Sequence, residues 1–291
     1  MSAAERTGDV HEILTWQIGD VRVTRIPESP PAGLPGLLPD ATPEAVAGHE
    51  WLAPYLDEAG RLLFSIHCLV LETPSRTIVV DTCIGNDKPR KIKAWDRLQT
   101  DFLERFEGLG FDRDRIDTVL CTHMHVDHVG WNTRLVEGVW MPTFPNARHL
   151  YAEKEWAWFD TAPEELGPII EDSVRPIFAA GLADLVGSDH RVCDEVRLIP
   201  SEGHTPGHVS IVIESKGQQA LITGDAIHHP CQIAHPEWAS VADYDSKQST
   251  QTRHDLLARV GDRVVLVIGT HFTAPGAGHV VSGDDGFELG D

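Results

Sequence analysis

Directly after the apolar run 116–121 the chain reads Thr122-His123-Met124-His125-Val126-Asp127-His128, with four metal-competent side chains in six positions. A short, uninterrupted apolar run of this kind is predicted to be a buried strand. Its end therefore delivers a crowded polar loop to the edge of a sheet. One ion cannot readily accept all four side chains from so short a loop, so the spacing points to two neighbouring ions. The arrangement recurs along the chain. The run 196–199 leads into Ser201-Glu202-Gly203-His204-Thr205-Pro206-Gly207-His208, 220–222 into Thr223-Gly224-Asp225, and 264–268 into Gly269-Thr270-His271. Loops beyond strand ends in open α/β sheets converge on one crevice. His123, His125, Asp127, His128, His204, Asp225 and His271 are therefore expected to meet.

The residue types set the chemistry. Imidazole and carboxylate donors suit borderline divalent ions such as zinc, with manganese, iron and cobalt as alternatives. The five cysteines (68, 83, 121, 193 and 231) form no CxxC pair. That argues against an iron–sulfur centre and reads as reduced, mostly buried thiols in a cytoplasm. Two adjacent ions would share a bridging hydroxide and clamp both the attacking and the leaving oxygen. Neutral imidazoles with only two carboxylates leave such a site slightly positive, fit to stabilise an oxyanion on a carbonyl or phosphoryl group.

The rest of the chain supplies a scaffold for that crevice. Strands alternating with helices over 291 residues imply an α/β architecture, taken as one domain over 15–291 after a flexible N-terminus, 1–14. A hairpin is expected over 15–26 around Gly19-Asp20, and another from 62–72 to 77–80. Between them lies a proline-rich arm at 27–60 with seven prolines and one short helix near 43–48. Its Leu34, Leu37, Leu38, Trp51 and Tyr55 suit either a packed lid or a structural or homodimer-contact arm. Apolar spacing predicts an amphipathic helix over 87–109, with Lys88, Arg90, Lys91 and Lys93 as a solvated face. Further helices are expected around Trp156, over Ile169 to Leu185, and over 246–260. A net charge of −21 disfavours nucleic acid and anionic membrane as partners, which leaves a small-molecule substrate. The polar start lacks a signal peptide's apolar core, no apolar run approaches the roughly 18 residues of a membrane span, and a cytoplasmic location is expected.

The run THMHVDHVG, with EGHTPGH, TGDAI and GTHF behind it and VVDTCIG ahead, resembles the metallo-β-lactamase-fold hydrolases from about residue 15 onward. The resemblance implies a four-layer αββα sandwich with two divalent metal ions at one edge of its sheets. It assigns His123, His125 and His204 to the first metal and Asp127, His128 and His271 to the second, with Asp225 bridging both. Asp81, ending the VVD strand, matches a residue that orients a loop or ligand beneath the site.

Within that superfamily the chain is most similar to the lactonases and the related organophosphate and aryl-ester hydrolases. Met124 stands where diiron flavoproteins carry a ligating glutamate, and Asp225 where true β-lactamases commonly place a cysteine nearby. Quorum-quenching lactonases often have a tyrosine three residues beyond the bridging aspartate, where this chain has His228. The tail Pro275-Gly276-Ala277-Gly278-His279 resembles that of methyl-parathion-hydrolase-like members. The implied reaction is hydrolysis of a lactone, ester or phosphotriester, weighted toward the last two. Asp127, from within the ligand set, and His228, donating to an oxyanion or leaving group, are the residues expected to take part in catalysis. The alternatives in the same fold are a single-iron persulfide dioxygenase and a glyoxalase II-like thioesterase. His208 reads as structural, His229, His235 and His279 as rim or solvated residues, and Trp51, Trp131 and Phe272 as candidate pocket walls.

Overall fold

Alternation along the strands decides how the layers stack. The computed structural model describes residues 12–161, 167–283 and 286–290. In the first half, β1 (Leu14–Ile18) and β2 (Val21–Pro27) form the hairpin, and the arm that follows holds α1 (Pro43–Val46), capped by Thr42. Then come β3 (His67–Glu72), β4 (Thr77–Val80), α2 (Phe102–Gly108) and β5 (Thr118–Leu120). A small ribbon of β6 (Thr133–Val136) and β7 (Val139–Pro142) precedes β8 (Arg148–Ala152). The half closes with α3 (Glu153–Phe159), α4 (Ile169–Ser173), α5 (Arg175–Ala179) and β9 (Ala183–Val186). The second half runs β10 (Val196–Pro200), β11 (Val209–Ser215), β12 (Gln218–Ile222), α6 (Cys231–Ala234), α7 (Ser246–Val260), β13 (Val265–Ile268), β14 (Ala277–Gly283) and β15 (Gly286–Gly290).

Two sheets result, one ordered β1-β2-β3-β4-β5-β8-β9 and one β10-β11-β12-β13-β14-β15. Because successive strand residues face opposite sides, Leu69, Leu71, Ile78 and Val80 of the first sheet meet Ile211, Ile213, Ala220, Ile222 and Ile268 of the second in a central core. Cys68, Val70 and Val79 point the other way, onto Phe102 and Phe106 of α2 and onto α4 and α5. Val212, Leu221 and Val267 point outward from the second sheet onto Leu256, Leu257 and Val260 of α7. These three apolar interfaces define four layers, the αββα sandwich. The arm joins the outer core of the second sheet through Leu38, Val46, Leu52 and Tyr55.

Several expectations need correction. Only residues 102–108 of the predicted helix 87–109 are helical. Asp87 and Arg97 have φ of 66° and 49°, in the left-handed region, and break any helix there. Lys88 and Arg90 are not a solvated face. Arg90 grips Asp172 of α4 through two bonds, at 2.6 and 2.9 Å, while the buried Lys88 reaches Thr133 Oγ1 at 2.8 Å. Leu185, expected in a helix, lies in β9, the edge strand of its sheet, where it is exposed. Most of the N-terminal segment 1–14 lies outside the described residues, and β1 begins at Leu14. All five cysteines are free, and four are buried. Among the described residues no helix is long and apolar enough to cross a membrane.

Candidate metal centre

Four strand ends deliver the polar residues. The turn after β5 carries residues 122–128, the turn after β10 carries His204, and a short helical turn after β12 (Gly224–Ala226) carries Asp225. The turn after β13 carries His271. Gly224 adopts a φ of +55°, and a Cβ there would lie 2.5 Å from His208 Nε2. Only glycine lets the chain turn that tightly. His208 in turn accepts from Asp225 N at 2.9 Å and lies 2.8 Å from Ser201 Oγ through Nδ1, a structural role, as expected.

All seven expected donors come together. His123 Nε2 and His204 Nε2 lie 3.1 and 2.9 Å from His125 Nδ1, making one group of three. Asp127, His128 and His271 make a second group, with His128 Nε2 and His271 Nε2 each 3.7 Å from an Asp127 oxygen. Asp225 lies between them. Its Oδ2 is 3.7 and 3.5 Å from His123 and His204 Nε2, and its Oδ1 is 3.3 and 3.2 Å from His128 and His271 Nε2. Within each group the candidate ligand atoms fall within 4.8 Å of one another.

Most of the rings are held from behind. His128 Nδ1 lies 2.9 Å from Asp81 Oδ2, and Asp81 also accepts from Thr122 N and Oγ1 at 2.8 Å. His271 Nδ1 donates to the Ser65 carbonyl at 2.9 Å, and His204 Nδ1 lies 3.0 Å from Asp243 Oδ1. Such outer partners fix the tautomer and leave the inner nitrogen's lone pair free.

Electrostatics separates the two groups. Burial pushes the His123, His125 and His204 imidazoles below their ordinary value, so they are neutral donors. Burial also presses on His128 and His271, but Asp225 and Asp127 outweigh it and raise both, with Asp81 adding to the rise of His128. Burial opposes ionisation of Asp225, yet His128 and His271 beside it hold its carboxyl well below the usual range. The buried His128 Nε2 has no hydrogen-bond partner among the described residues. An orphaned imidazole nitrogen facing two carboxylates fits a cation, and the donor set of five imidazoles and two carboxylates fits divalent metal.

A cavity of about 490 Å³ opens over these residues. Leu34 and Leu37 of the arm, Ile92, Trp95, Phe159 and Ile170 are among its walls, and no Lys or Arg among the described residues lines it. The expected wall residues lie elsewhere. Trp131 stacks on Phe102, Phe272 is buried in the outer core of the second sheet, and Trp51 packs against that core. His228 does line the cavity, with Nε2 3.4 Å from Asp225 Oδ2 and a buried Nδ1 that has no partner among the described residues. His229 is neither rim nor solvated. It is fully buried, with Nε2 3.1 Å from the Tyr55 carbonyl. His235 stacks on Trp238 and meets His49, Nε2 to Nε2, at 2.9 Å. His279 is half-buried in β14.

Three supporting carboxylates escaped the sequence reading. Glu155 of α3 accepts from Met124 N, Thr205 Oγ1 and Gly207 N, tying two of the histidine loops together, and burial pushes its carboxyl up to about 7. Glu28 accepts from Ile84 N, Gly85 N and Trp131 Nε1 beneath the site, and burial pushes it up to about 6. Asp243 is the third. None sits in a motif, and each works through contacts distant in sequence.

Comparison with known proteins bears on the fold that carries these residues. The family model described as Metallo-beta-lactamase superfamily matches residues 61–271. A Mycobacterium tuberculosis protein named a probable metallo-hydrolase is 26% identical over 215 residues, 67% of this chain and 66% of its own length. An N-acyl homoserine lactonase of a Bacillus species is 26% identical over 186 residues, 57% of this chain and 66% of its own. The chain thus spans slightly less than two thirds of these curated relatives. A crystal structure of a hydrolase in the beta lactamase superfamily superposes with a TM-score of 0.78 at 24% identity, covering 97% of this chain and 98% of the other. A dizinc quorum-quenching lactonase, solved with its product N-hexanoyl-L-homoserine, gives 0.75 at 19% identity with the same coverage. At these identities the structural likeness speaks for the fold.

Proposed function

The chain belongs to the metallo-beta-lactamase superfamily, and from that premise we propose that it is a dinuclear metal-dependent hydrolase of small, apolar lactones, esters or phosphotriesters. The observation that carries this is the seven-donor cluster at the floor of an apolar cavity. His123, His125 and His204 would hold one ion, Asp127, His128 and His271 the other, and Asp225 both. Divalent ions there supply Lewis acidity and a water made nucleophilic at neutral pH. Zinc suits these donors and is the metal named for the similar lactonase structure.

The chain's own residues do the remainder. Asp127 is the most open carboxylate of the cluster, its side chain 11% exposed, and its oxygens receive the proton of the attacking water. Burial holds the His228 imidazole well below its ordinary value. His228 is therefore a neutral ring beside Asp225, donating to the oxyanion or leaving group. The apolar walls exclude water and favour uncharged substrates. The lack of any lining Lys or Arg among the described residues weighs against glutathione conjugates with their carboxylates, hence against the thioesterase and persulfide readings. Seven donors in two groups likewise favour two ions over a single iron.

Metal analysis together with a hydrolysis panel on zinc-reconstituted protein tests the proposal. The panel comprises acyl-homoserine lactones, δ-lactones, p-nitrophenyl esters, paraoxon, S-lactoylglutathione and nitrocefin. Two metals per chain and turnover confined to the neutral lactones, esters or phosphotriester are expected. One iron per chain with oxygen uptake on glutathione persulfide, or turnover of S-lactoylglutathione alone, would overturn it.

A further inference from the structure

Segment 240–245 joins the ligand cluster to the cavity mouth. On its inner side, the fully buried Asp243 side chain places Oδ1 3.0 Å from His204 Nδ1. A carboxylate only accepts, so the hydrogen of His204 sits on Nδ1 and the lone pair of Nε2 is left facing His125 and Asp225. Asp243 is itself held in place. Its Oδ2 accepts from Ser240 N at 3.1 Å and lies 3.6 Å from Nη1 of the buried Arg253 on α7. The same guanidinium donates to the carbonyl of Ala226, the residue after Asp225, and to that of Pro236. Two backbone bonds of 2.9 Å, from Tyr244 N to His204 O and from Asp245 N to Gly203 O, lash the segment to the His204 turn.

On its outer side, Val241, Ala242 and Tyr244 line the cavity, and Val241 and Tyr244 are 69% and 61% exposed. Val241 N donates to the Leu37 carbonyl at 3.0 Å, so the segment also carries the arm residue that walls the cavity. One short stretch thus sets a candidate metal ligand and shapes the entrance through which substrate must pass.

We propose that segment 240–245 is a positioning element that couples metal holding to the cavity mouth: Asp243 sets the tautomer and orientation of His204, and the bond from Val241 to Leu37 ties that setting to the arm. The inference rests on the two-ion reading above, and its test needs no substrate. Zinc is titrated into metal-free wild type, Asp243→Ala, Asp243→Asn and Val241→Pro against a chromophoric chelator, with circular dichroism checking each fold. Asp243→Ala is expected to weaken zinc binding by about 10- to 100-fold, the range for loss of an outer partner. Asp243→Asn keeps an oxygen that accepts from Nδ1 and should lose less. Val241→Pro removes the N–H given to Leu37, and with it fixes φ at 241 and restrains Ser240, and should lose least, yet measurably. A folded Asp243→Ala with wild-type zinc affinity overturns the positioning role. Wild-type affinity in Val241→Pro overturns the tie to the arm. If Asp243→Ala does not fold, Asp243→Leu, which also removes the acceptor but keeps more of the side-chain volume, carries the measurement, and undiminished affinity there is equally fatal. A wild type that takes up no zinc sinks the two-ion reading instead, which keeps the two failures apart.

Discussion

Of the five imidazoles in the donor cluster, four are braced from behind by Thr122, Asp81, Asp243 and Ser65, whereas the cavity walls, apart from those on α3 and α4, are side chains on irregular stretches. Leu34 and Leu37 come from the arm, Ile92 and Trp95 from the strap 87–101, and Val241 and Tyr244 from the segment before α7. The floor stands on strand ends whose registers are fixed by two sheets. Preorganised groups stabilise developing charge without reorganising at the moment of reaction. The walls hold no ladder hydrogen bonds, so their residues are free to change shape and size without disturbing the sheets. The division assigns chemistry to the floor and selectivity to the walls, and outside segment 240–245, which joins the two, each half can be broken separately.

The largest effect is expected on the floor. Asp225→Asn removes the one carboxylate shared by both groups and leaves His128 and His271 without the largest of the charges that raise them. Metal content should fall from two ions to one or fewer, and activity by more than the about 10- to 100-fold typical of an outer partner. A variant retaining two ions and more than a tenth of wild-type turnover would show that Asp225 is not the shared ligand. His228→Phe comes next. It keeps a planar ring in the buried position but removes both nitrogens, and kcat should fall by about 10²-fold at unchanged metal content. A loss below about threefold would take His228 out of the reaction.

This contrast also decides what the sequence disclosed. Each floor residue follows an apolar run, and a run that ends in His or Asp advertises itself without any tertiary knowledge. Asp81 was visible for the same reason, as the residue closing β4. The four layers came from the resemblance alone: 69–71 (Leu-Val-Leu) and 211–213 (Ile-Val-Ile) are uninterrupted apolar runs, which say that both faces of each strand are buried but not against what. The walls and braces were not legible. Ile92 and Trp95 recur at helical spacing, yet they line a cavity because Arg90 and Lys88 are consumed by Asp172, some 80 residues away. Glu155, Glu28 and Asp243 look like ordinary surface acids until the fold surrounds them. Strands β14 and β15 were missed because glycines at 276, 278, 283, 286 and 290 dilute their apolar signal.

On the walls, Trp95→Ala should act through substrate binding. The indole lines the cavity and packs against the apolar core of the first sheet. Enlarging an apolar pocket changes discrimination by about 1–3 kcal/mol. KM for the better apolar substrate is expected to rise by roughly tenfold while kcat and metal content hold. If kcat and metal content fell instead, wall and floor would be one cooperative unit rather than two.

The smallest effect concerns how the strap is pinned. Burial lowers the Lys88 ammonium from its ordinary value to about 7, despite the attraction of Asp172. Between pH 7 and about 10.5 the unfolded chain keeps this proton while the folded protein gives it up. Proton uptake is then greater in the unfolded state, so stability rises with pH across that window and is lost as pH falls toward 7. Lys88→Met removes the titrating group, and Arg90 still pairs Asp172 through both oxygens, so no carboxylate is stranded. The difference in unfolding free energy between wild type and variant should therefore change with pH from 7.5 to 9.5 by at most about 1.4 kcal/mol per unit, in favour of wild type at the higher end. Urea unfolding at a series of pH values measures it. A constant difference would mean that Lys88 stays charged throughout and that the strap is pinned by a permanent ion pair. Metal content and kcat should hardly move in either case, because the strap's grip on α4 does not involve the donor cluster.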